Sequence, residues 1–425
     1  MPGPPCPPLN WLFVDMNGYF ASVEQHLRPQ LRGRPVGVIP VESEGSCVIA
    51  ASYEAKRFGV KTGTGVREAR RLCPGIELVR ARPDVYVRVH HAVAESIDRW
   101  APIHNAYSID EWAIRLGRGQ REPEKAAQLG RAIKKQIHTD FSPALSCSVG
   151  IAPTRLLAKI ASDLKKPDGL TVLSVADLPG KLAHCELEDL CGIGRGIERK
   201  LHRHGIRTVE ELWTLSRRQA VAVWGSVVGG HWWAGFHGVD EPELPTRKNS
   251  MAHENILEPR LRTEAGARGI LIRLTCRLGV RLRTEDYLAG GLAVGIDYVG
   301  EGEFSGSIEL PLVQDTTTLL ETLDRILARC TPMPRAPLKV GVTVFGLAPA
   351  SQIAANLFEQ AERPAHLSRT MDLITSRWGM SSLYFASMHD YRHHMDDKIA
   401  FGRIPAMART LDKSSYLRIK KREVL

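Results

Sequence analysis

Short apolar runs bounded by turn residues alternate with helix-period segments through the first 170 residues. Leu12-Phe13-Val14 reads as a buried strand ending at Asp15, and residues 21–27 as the helix after it. Residues 36–39 and 47–51 give two short apolar strands on either side of Glu42-Ser43-Glu44-Gly45. Residues 66–72 have helical composition and stop at Cys73-Pro74-Gly75. The spacing of Val87, Val89, Ala92, Val93, Ile97 and Trp100 predicts an amphipathic helix over 86–100. Strands around 108–116 and 145–151 flank a helix over about 123–138. Strands alternating with helices in this way predict a two-layer α+β core.

The pattern changes after residue 173. Leu190-Cys191-Gly192-Ile193-Gly194-Arg195-Gly196 leads into a helix-period run and then His204-Gly205-Ile206, a glycine turn between helical segments. Such a turn lets backbone N–H groups approach a phosphate beside a helix start. Trp224, Trp232, Trp233 and Phe236 are expected to form helical core rather than a base-stacking platform. Polar, proline-containing residues 240–252 read as a linker. An α/β unit follows, in which a helix over 264–283 turns Ile270, Leu271, Leu274 and Leu278 inward and carries Arg273, Arg277 and Arg281 on a neighbouring stripe. Leu338 to Phe345 alternates as a last strand, 367–378 is helical in character, and Arg418-Ile419-Lys420-Lys421-Arg422 makes a basic end. No internal repeat stands out.

A chain of 425 residues is too long for one core and implies two to four domains. Its 43% hydrophobic and 24% charged residues are those of a globular protein, not a disordered or fibrous one. The net charge of +10 favours a polyanionic partner such as nucleic acid. Eight cysteines are scattered without a Cys-x-x-Cys pair, which argues against a zinc site and for reduced thiols. The proline-rich start lacks the apolar core of a signal peptide, and no run reaches transmembrane length. A cytoplasmic protein without membrane contact is expected.

The chemistry centres on Asp15 and the pair Asp110-Glu111, each placed beside an apolar strand. An acidic pair alone is more often an ordinary turn. Buried strand-end carboxylates are nevertheless costly unless paired or bound to metal. Oxygen ligands of this kind suit Mg²⁺, and two such ions suit phosphoryl transfer.

Four ordered segments decide the reading. Asp15-Met16-Asn17-Gly18-Tyr19-Phe20-Ala21-Ser22-Val23-Glu24 resembles the opening motif of Y-family (translesion) DNA polymerases. Ser52-Tyr53-Glu54-Ala55-Lys56-Arg57-Phe58-Gly59-Val60 resembles their fingers motif, and Ser108-Ile109-Asp110-Glu111 their second catalytic motif. Ser148 to Asp163, with Lys166-Pro167-Asp168-Gly169, is similar to the stretch that closes the catalytic core. The resemblance spans about residues 10 to 350 and is greatest to the bacterial DNA polymerase IV branch.

The resemblance implies an α+β multidomain, right-hand polymerase. Its palm would be 1–18 with 83–172, its small fingers 19–82, and its helical thumb 173–240 with a helix-hairpin-helix. A linker over 241–250, an α/β little finger over 251–350 and a C-terminal extension over 351–425 would follow. Asp15, Asp110 and Glu111, with the Met16 carbonyl, would hold two Mg²⁺ ions, with Mn²⁺ as a substitute. Gly18, Tyr19, Phe20, Tyr53, Lys56 and Lys166 would contact the nucleotide, with Phe20 as steric gate against ribose. Lys56 stands where relatives commonly have Arg, and Asn17 where they have a second Asp. Ala50, Ala51 and Ser52 would line the fingers side of the nascent base pair. Gly192, Gly194, Gly196, Arg273 and Arg277 would bind DNA. Primer-template DNA and a dNTP are the implied partners, with a sliding clamp possible through residues 352–358. A non-catalytic DNA-binding adaptor is the alternative, for which Trp112 beside the acidic pair is the chief argument. A palm-type nucleotide cyclase would not carry the hairpin and little-finger segments.

Overall fold

A computed structural model describes residues 7–243, 247–352, 362–378 and 382–391. The chain divides into two compact units between residues 243 and 244. In chain order, the strands of the first unit are β1 (Trp11–Met16), β2 (Val36–Ile39), β3 (Ala50–Ala51), β4 (Glu77–Arg80), β5 (Ile103–Ser108), β6 (Glu111–Arg115), β7 (Cys147–Ala152) and β8 (Leu170–Val172). Its helices are α1 (Tyr19–Leu27), α2 (Tyr53–Lys56), α3 (Val66–Leu72), α4 (Pro83–Asp98), α5 (Pro123–Asp140), α6 (Arg155–Asp163), α7 (Arg195–Arg203), α8 (Val209–Trp213), α9 (Arg217–Trp224) and α10 (Val227–Phe236).

The main sheet runs β5-β6-β1-β7-β8, with β1 central and antiparallel to both neighbours. Strand alternation then sorts the side chains. Leu12, Val14, Met16, Trp112 and Ile114 join a core shared with α1, α4 and α5, whereas Trp11, Phe13, Ala113 and Ala152 join one shared with α6 and the helices after it. A small sheet, β3-β2-β4, packs with α2 and α3 around Val48, Ala55, Val60 and Ala69.

Two elements differ from the sequence expectation for visible reasons. The helix expected over 86–100 starts at Pro83, whose fixed φ and missing N–H suit a first helical turn, and ends before Trp100, which is 47% exposed. The stretch around 108–116 is no single strand. Ser108 pairs with Glu111 across a tight turn, so Asp110 sits at the tip of a β5–β6 hairpin.

The glycine hairpin is also simpler than expected. A 3-10 turn at Leu187–Asp189 precedes it, and a full helix, α7, stands only on its far side. Gly192 has φ +92, and a Cβ there would meet the Trp232 indole at 2.8 Å. The ring donates its N–H to the Cys191 carbonyl at 2.9 Å. Trp224, Trp232 and Phe236 stack in sequence at 5.2 and 4.8 Å and are buried, so they are core as expected.

Residues 240–243, read as the start of a linker, are held by ion pairs. Asp240 accepts from Trp11 at 2.8 Å and pairs with Arg115 at 3.0 Å, Glu241 takes both guanidinium arms of Arg217, and Glu243 pairs with Arg155.

The second unit is an antiparallel sheet with helices on one face. Its strands are β9 (Ser250–Ile256), β10 (Tyr287–Tyr298), β11 (Glu303–Val313), β12 (Pro337–Phe345) and β13 (Ala348–Pro349), and its helices α11 (Glu264–Thr284), α12 (Thr316–Leu327) and α13 (Glu362–Trp378). The order is β11-β10-β12-β9, with β13 on the start of β10. Ile270, Leu271, Leu274 and Leu278 of α11 are buried against this sheet, as their spacing predicts. The arginine stripe is not an open phosphate track. Arg273 is 8% exposed and donates to the Tyr391 carbonyl at 3.1 Å, Arg277 is half-buried, and Arg281 pairs with Glu285 at 3.1 Å. The segment around Tyr391 packs on α11, which the periodicity of the helix itself cannot announce. Gln352 ends a 3-10 turn, while the rest of the 352–358 segment and the basic 418–422 end lie outside the described residues. No described helix is long and apolar enough to cross a membrane.

Candidate active site

Pairing between β1 and β6 places Asp15 directly opposite Glu111. Cross-strand partners share a face, so both carboxylates turn toward α6. Val14 and Trp112 pair on the opposite face. Trp112 is fully buried there, its ring stacked on His90 at 4.8 Å, and it does not narrow the site. The hairpin tip brings in the third acid. Asp110 accepts from the Ser108 hydroxyl, and its carbonyl accepts from the Met16 N–H at 2.9 Å.

An open cleft of about 230 Å³ lies in front of these acids, a little under the roughly 300–1,000 Å³ range of small-molecule sites. Asp15, Met16, Asp110 and Glu111 line it, as do Gly18, Tyr19, Phe20, Tyr53, Lys56 and Lys166, so each residue expected at the metal or nucleotide is here. Ala50 and Ala51 also line it. Ser52 does not: it is buried, and its hydroxyl caps α2 by accepting from the Ala55 N–H. Gly192, Gly194, Gly196, Arg273 and Arg277 are not among the lining residues.

Gly18 is required on two counts. Its φ is +55, and a Cβ would stand 3.0 Å from the Ala51 carbonyl oxygen. It leads into α1, whose start has no side-chain cap. Asn17 turns away from the cleft. Its amide donates to Ser146 at 3.1 Å and accepts from Ser148 at 3.0 Å, a pairing that a carboxylate would not reproduce.

Sequence reasoning assigned no role to Lys159, although it stands within a quoted segment. Thr154 caps α6 by accepting from the Leu157 N–H, and the helix projects Lys159 between the strands' acids. Its ammonium contacts Asp15 and lies 3.0 Å from Glu111 and 3.1 Å from Asp163. Lys166 lies 2.7 Å from both Asp15 and Asp163. The i, i+4 and i+7 spacing of Lys159, Asp163 and Lys166 was the available signal. Lys56 has the Tyr53 ring at 4.2 Å, and burial together with the charge of Lys166 lowers its pKa. Burial and the charges of Asp15 and Glu111 raise Asp110 to about 6, against the hydrogen bond from Ser108.

These residues suit a hard divalent cation. The donors are carboxylate oxygens, Asp15 and Glu111 already bracket a cationic ammonium, and Asp110 is short of positive charge. Among the described residues no three of His, Cys, Asp and Glu form a group that could by itself hold a metal ion, and the Lys159 ammonium stands between Asp15 and Glu111.

Phe20, in the first turn of α1, lines the cleft. It is 4% exposed, and its ring lies parallel to that of Tyr86 of α4, centroids 4.4 Å apart at 14°.

Comparison with known proteins agrees with this arrangement. Residues 14–163 match the model of the impB/mucB/samB family, and residues 248–357 match that family's C-terminal domain. A DNA polymerase IV from Moorella thermoacetica is 35% identical over 87% of this chain and 93% of its own length. One from Bacteroides fragilis is 32% identical over 68% of this chain and 78% of its own. A solved Y-family DNA polymerase chimera, Dbh-Dpo4-Dbh, aligns with a TM-score of 0.66 over 79% of this chain and 98% of its own, at 22% identity. The α+β units carry the palm, fingers, thumb and little-finger architecture of that fold. The chain belongs to the impB/mucB/samB family and is a Y-family protein of the DNA polymerase IV kind.

Proposed function

We infer that this chain is a template-directed DNA polymerase that adds deoxynucleotides to a primer 3′-end and performs low-fidelity translesion synthesis. The observation that carries the reading is one cleft lined by three acids, by three lysines of which Lys159 and Lys166 pair with those acids, and by the aromatic rings of Tyr19, Phe20 and Tyr53. Asp15, Asp110, Glu111 and the Met16 carbonyl would hold divalent ions, Mg²⁺ or in its place Mn²⁺. When bound, such ions supply Lewis-acid stabilisation of the attacking and leaving oxygens. The chain's own residues do the positioning. Lys166 and Tyr53 bind the triphosphate by charge and hydroxyl, and Lys56, held over the Tyr53 ring with its pKa lowered by burial and by Lys166, is stabilised by a bound anion. The first N–H groups of α1 add neutral donors. Phe20 bars a 2′-hydroxyl, while Ala50 and Ala51 leave room above the nascent base pair.

Residues 1–18 with 83–172 act as palm, 19–82 as fingers, 173–240 as thumb and 251–350 as little finger. The turn at Gly192, Gly194 and Gly196 contacts the DNA backbone. A sliding clamp recruits the protein through residues 352–358, in the cytoplasm; deleting these residues would remove stimulation by the clamp. The adaptor alternative is not favoured, because the acids are intact and Trp112 is packed behind the strand.

Primer extension on undamaged and abasic templates, with Mg²⁺ and each dNTP, tests the reading. Wild type extends both, and the Asp110→Ala/Glu111→Ala double variant binds primer-template but extends neither. Tight DNA binding by wild type without any extension in Mg²⁺ or Mn²⁺ would return the adaptor reading.

A further inference from the structure

Behind the Phe20 wall lies a buried polar cluster with no part in the chemistry above. Glu24, one turn further along α1, is wholly buried. Its carboxylate accepts from Arg82 Nε at 3.0 Å and Nη2 at 2.7 Å, and from the Tyr86 hydroxyl at 2.8 Å. Arg28 approaches the same carboxylate at 3.5 Å. The Tyr86 carbonyl in turn accepts from the Tyr19 hydroxyl at 2.8 Å. Both ends of Tyr86 are therefore tied to α1, and its ring is the surface against which Phe20 lies flat.

A buried carboxylate is costly unless its oxygens are satisfied, and here a bidentate guanidinium and a hydroxyl satisfy them. That makes the cluster stiff as well as stable. Stiffness matters at this place, because a wall that rejects one oxygen atom works only if it does not yield. A lone phenyl ring on a helix can relax about χ1 and χ2; one stacked on an anchored ring cannot do so without moving that ring.

We propose that Glu24 is a positioning residue for sugar selection: through Arg82 and the Tyr86 hydroxyl it locks the Tyr86 ring, and so holds Phe20 rigid against a ribonucleotide. The inference rests on Phe20 being the gate. Neither Glu24 nor Tyr86 lines the cleft. Their loss leaves deoxynucleotide incorporation near its normal rate and raises ribonucleotide incorporation.

The test is single-nucleotide incorporation of dATP and rATP opposite template thymine, as kcat and KM separately, with thermal melting of each variant. Tyr86→Phe keeps the ring and removes only the anchor; Glu24→Gln removes the charge that organises it. Each is expected to lower the dATP-to-rATP ratio of kcat/KM about tenfold, below the roughly hundredfold that a full ångström of misplacement carries. The change appears in the rATP values, with dATP within about threefold of wild type. Phe20→Ala serves as reference and abolishes most discrimination. If Phe20→Ala leaves the ratio unchanged, the gate assignment itself fails. If Phe20→Ala collapses it while Tyr86→Phe and Glu24→Gln keep the wild-type ratio, the gate stands and the brace is overturned. Equal losses for both nucleotides mean a purely structural cluster and also overturn it. Should Glu24→Gln fail to fold, Tyr86→Phe decides alone.

Discussion

At the scale of single residues, His90 couples the core behind the acids to pH. Its Nδ1 lies 2.7 Å from the Ile109 carbonyl, which can only accept, so that nitrogen carries the proton. The ring is 3% exposed and stacked on Trp112. Burial lowers its pKa to about 4, assisted by the charge of His91 and opposed by the hydrogen bond to Ile109. A depressed folded value means the unfolded chain takes up a proton first. The contribution of His90 is therefore complete above the unfolded value near 6.5 and is lost as pH falls toward 4, approaching roughly 3 kcal/mol. Hydrogen exchange of the β1 and β6 amides in wild type and His90→Gln measures this. The stability advantage of wild type should shrink by about 2 kcal/mol between pH 7 and pH 4.5. An advantage that is constant with pH would mean that His90 is charged in the folded protein.

At the scale of elements, α6 owes its position to Gly150. A Cβ on this β7 residue would overlap the Ala158 carbonyl oxygen and the Ser162 N–H, so the helix backbone rests directly on the strand. That close approach carries Lys159 to the acids of β1 and β6. Gly150→Ala forces helix and strand apart, at a cost of about 3 kcal/mol or more. It should lower the melting temperature and, by withdrawing Lys159 and Lys166 together, abolish primer extension as well. A Gly150→Ala protein with wild-type extension would contradict this placement of the helix. The same element shows what local pattern conveys and what it omits. The period of α6 and its Thr154 cap are legible as sequence, but nothing in the order of residues says that position 150 must lack a side chain.

At the scale of the whole molecule, the segment read as a C-terminal extension is built into the second unit where it is described. Arg283 of α11 pairs with both carboxylate oxygens of Asp372 in α13, at 2.6 and 2.9 Å, and also donates to the Gln314 carbonyl at 2.6 Å. The Ser368 hydroxyl accepts from the Thr316 N–H at 3.0 Å, which ties α13 to the start of α12. The Arg283 side chain is 8% exposed, so Asp372→Ala leaves a buried charge with neutral acceptors only. The expected loss is about 2–4 kcal/mol. Hydrogen exchange should locate it in α11, α12 and α13 while leaving α6 protected as before. Uniform loss across both units would show that they do not unfold separately.

The sequence by itself determined the strands, the helices and the chemistry at their ends. Leu12-Phe13-Val14 ahead of Asp15 announced strand and acid together, and Ser108 to Glu111 announced the acids though not their hairpin, because side-chain period and motif order are local properties. The same holds for Phe20, Tyr53, Lys56 and Lys166, which lie in short contiguous segments and meet in one cleft. What the tertiary structure alone decided are relations between distant segments. The β1–β6 register set Asp15 against Glu111 and turned Trp112 to the far face. Contact with the Tyr391 segment buried Arg273, which helical periodicity had placed on a stripe. Lys159 among the acids, and Glu24 at the hydroxyl of Tyr86 62 residues further along, follow from the packing of α6 on β7 and of α1 beside α4. A buried charge is stable only where its partners are assembled in space, and that assembly is not written in the spacing of any one segment.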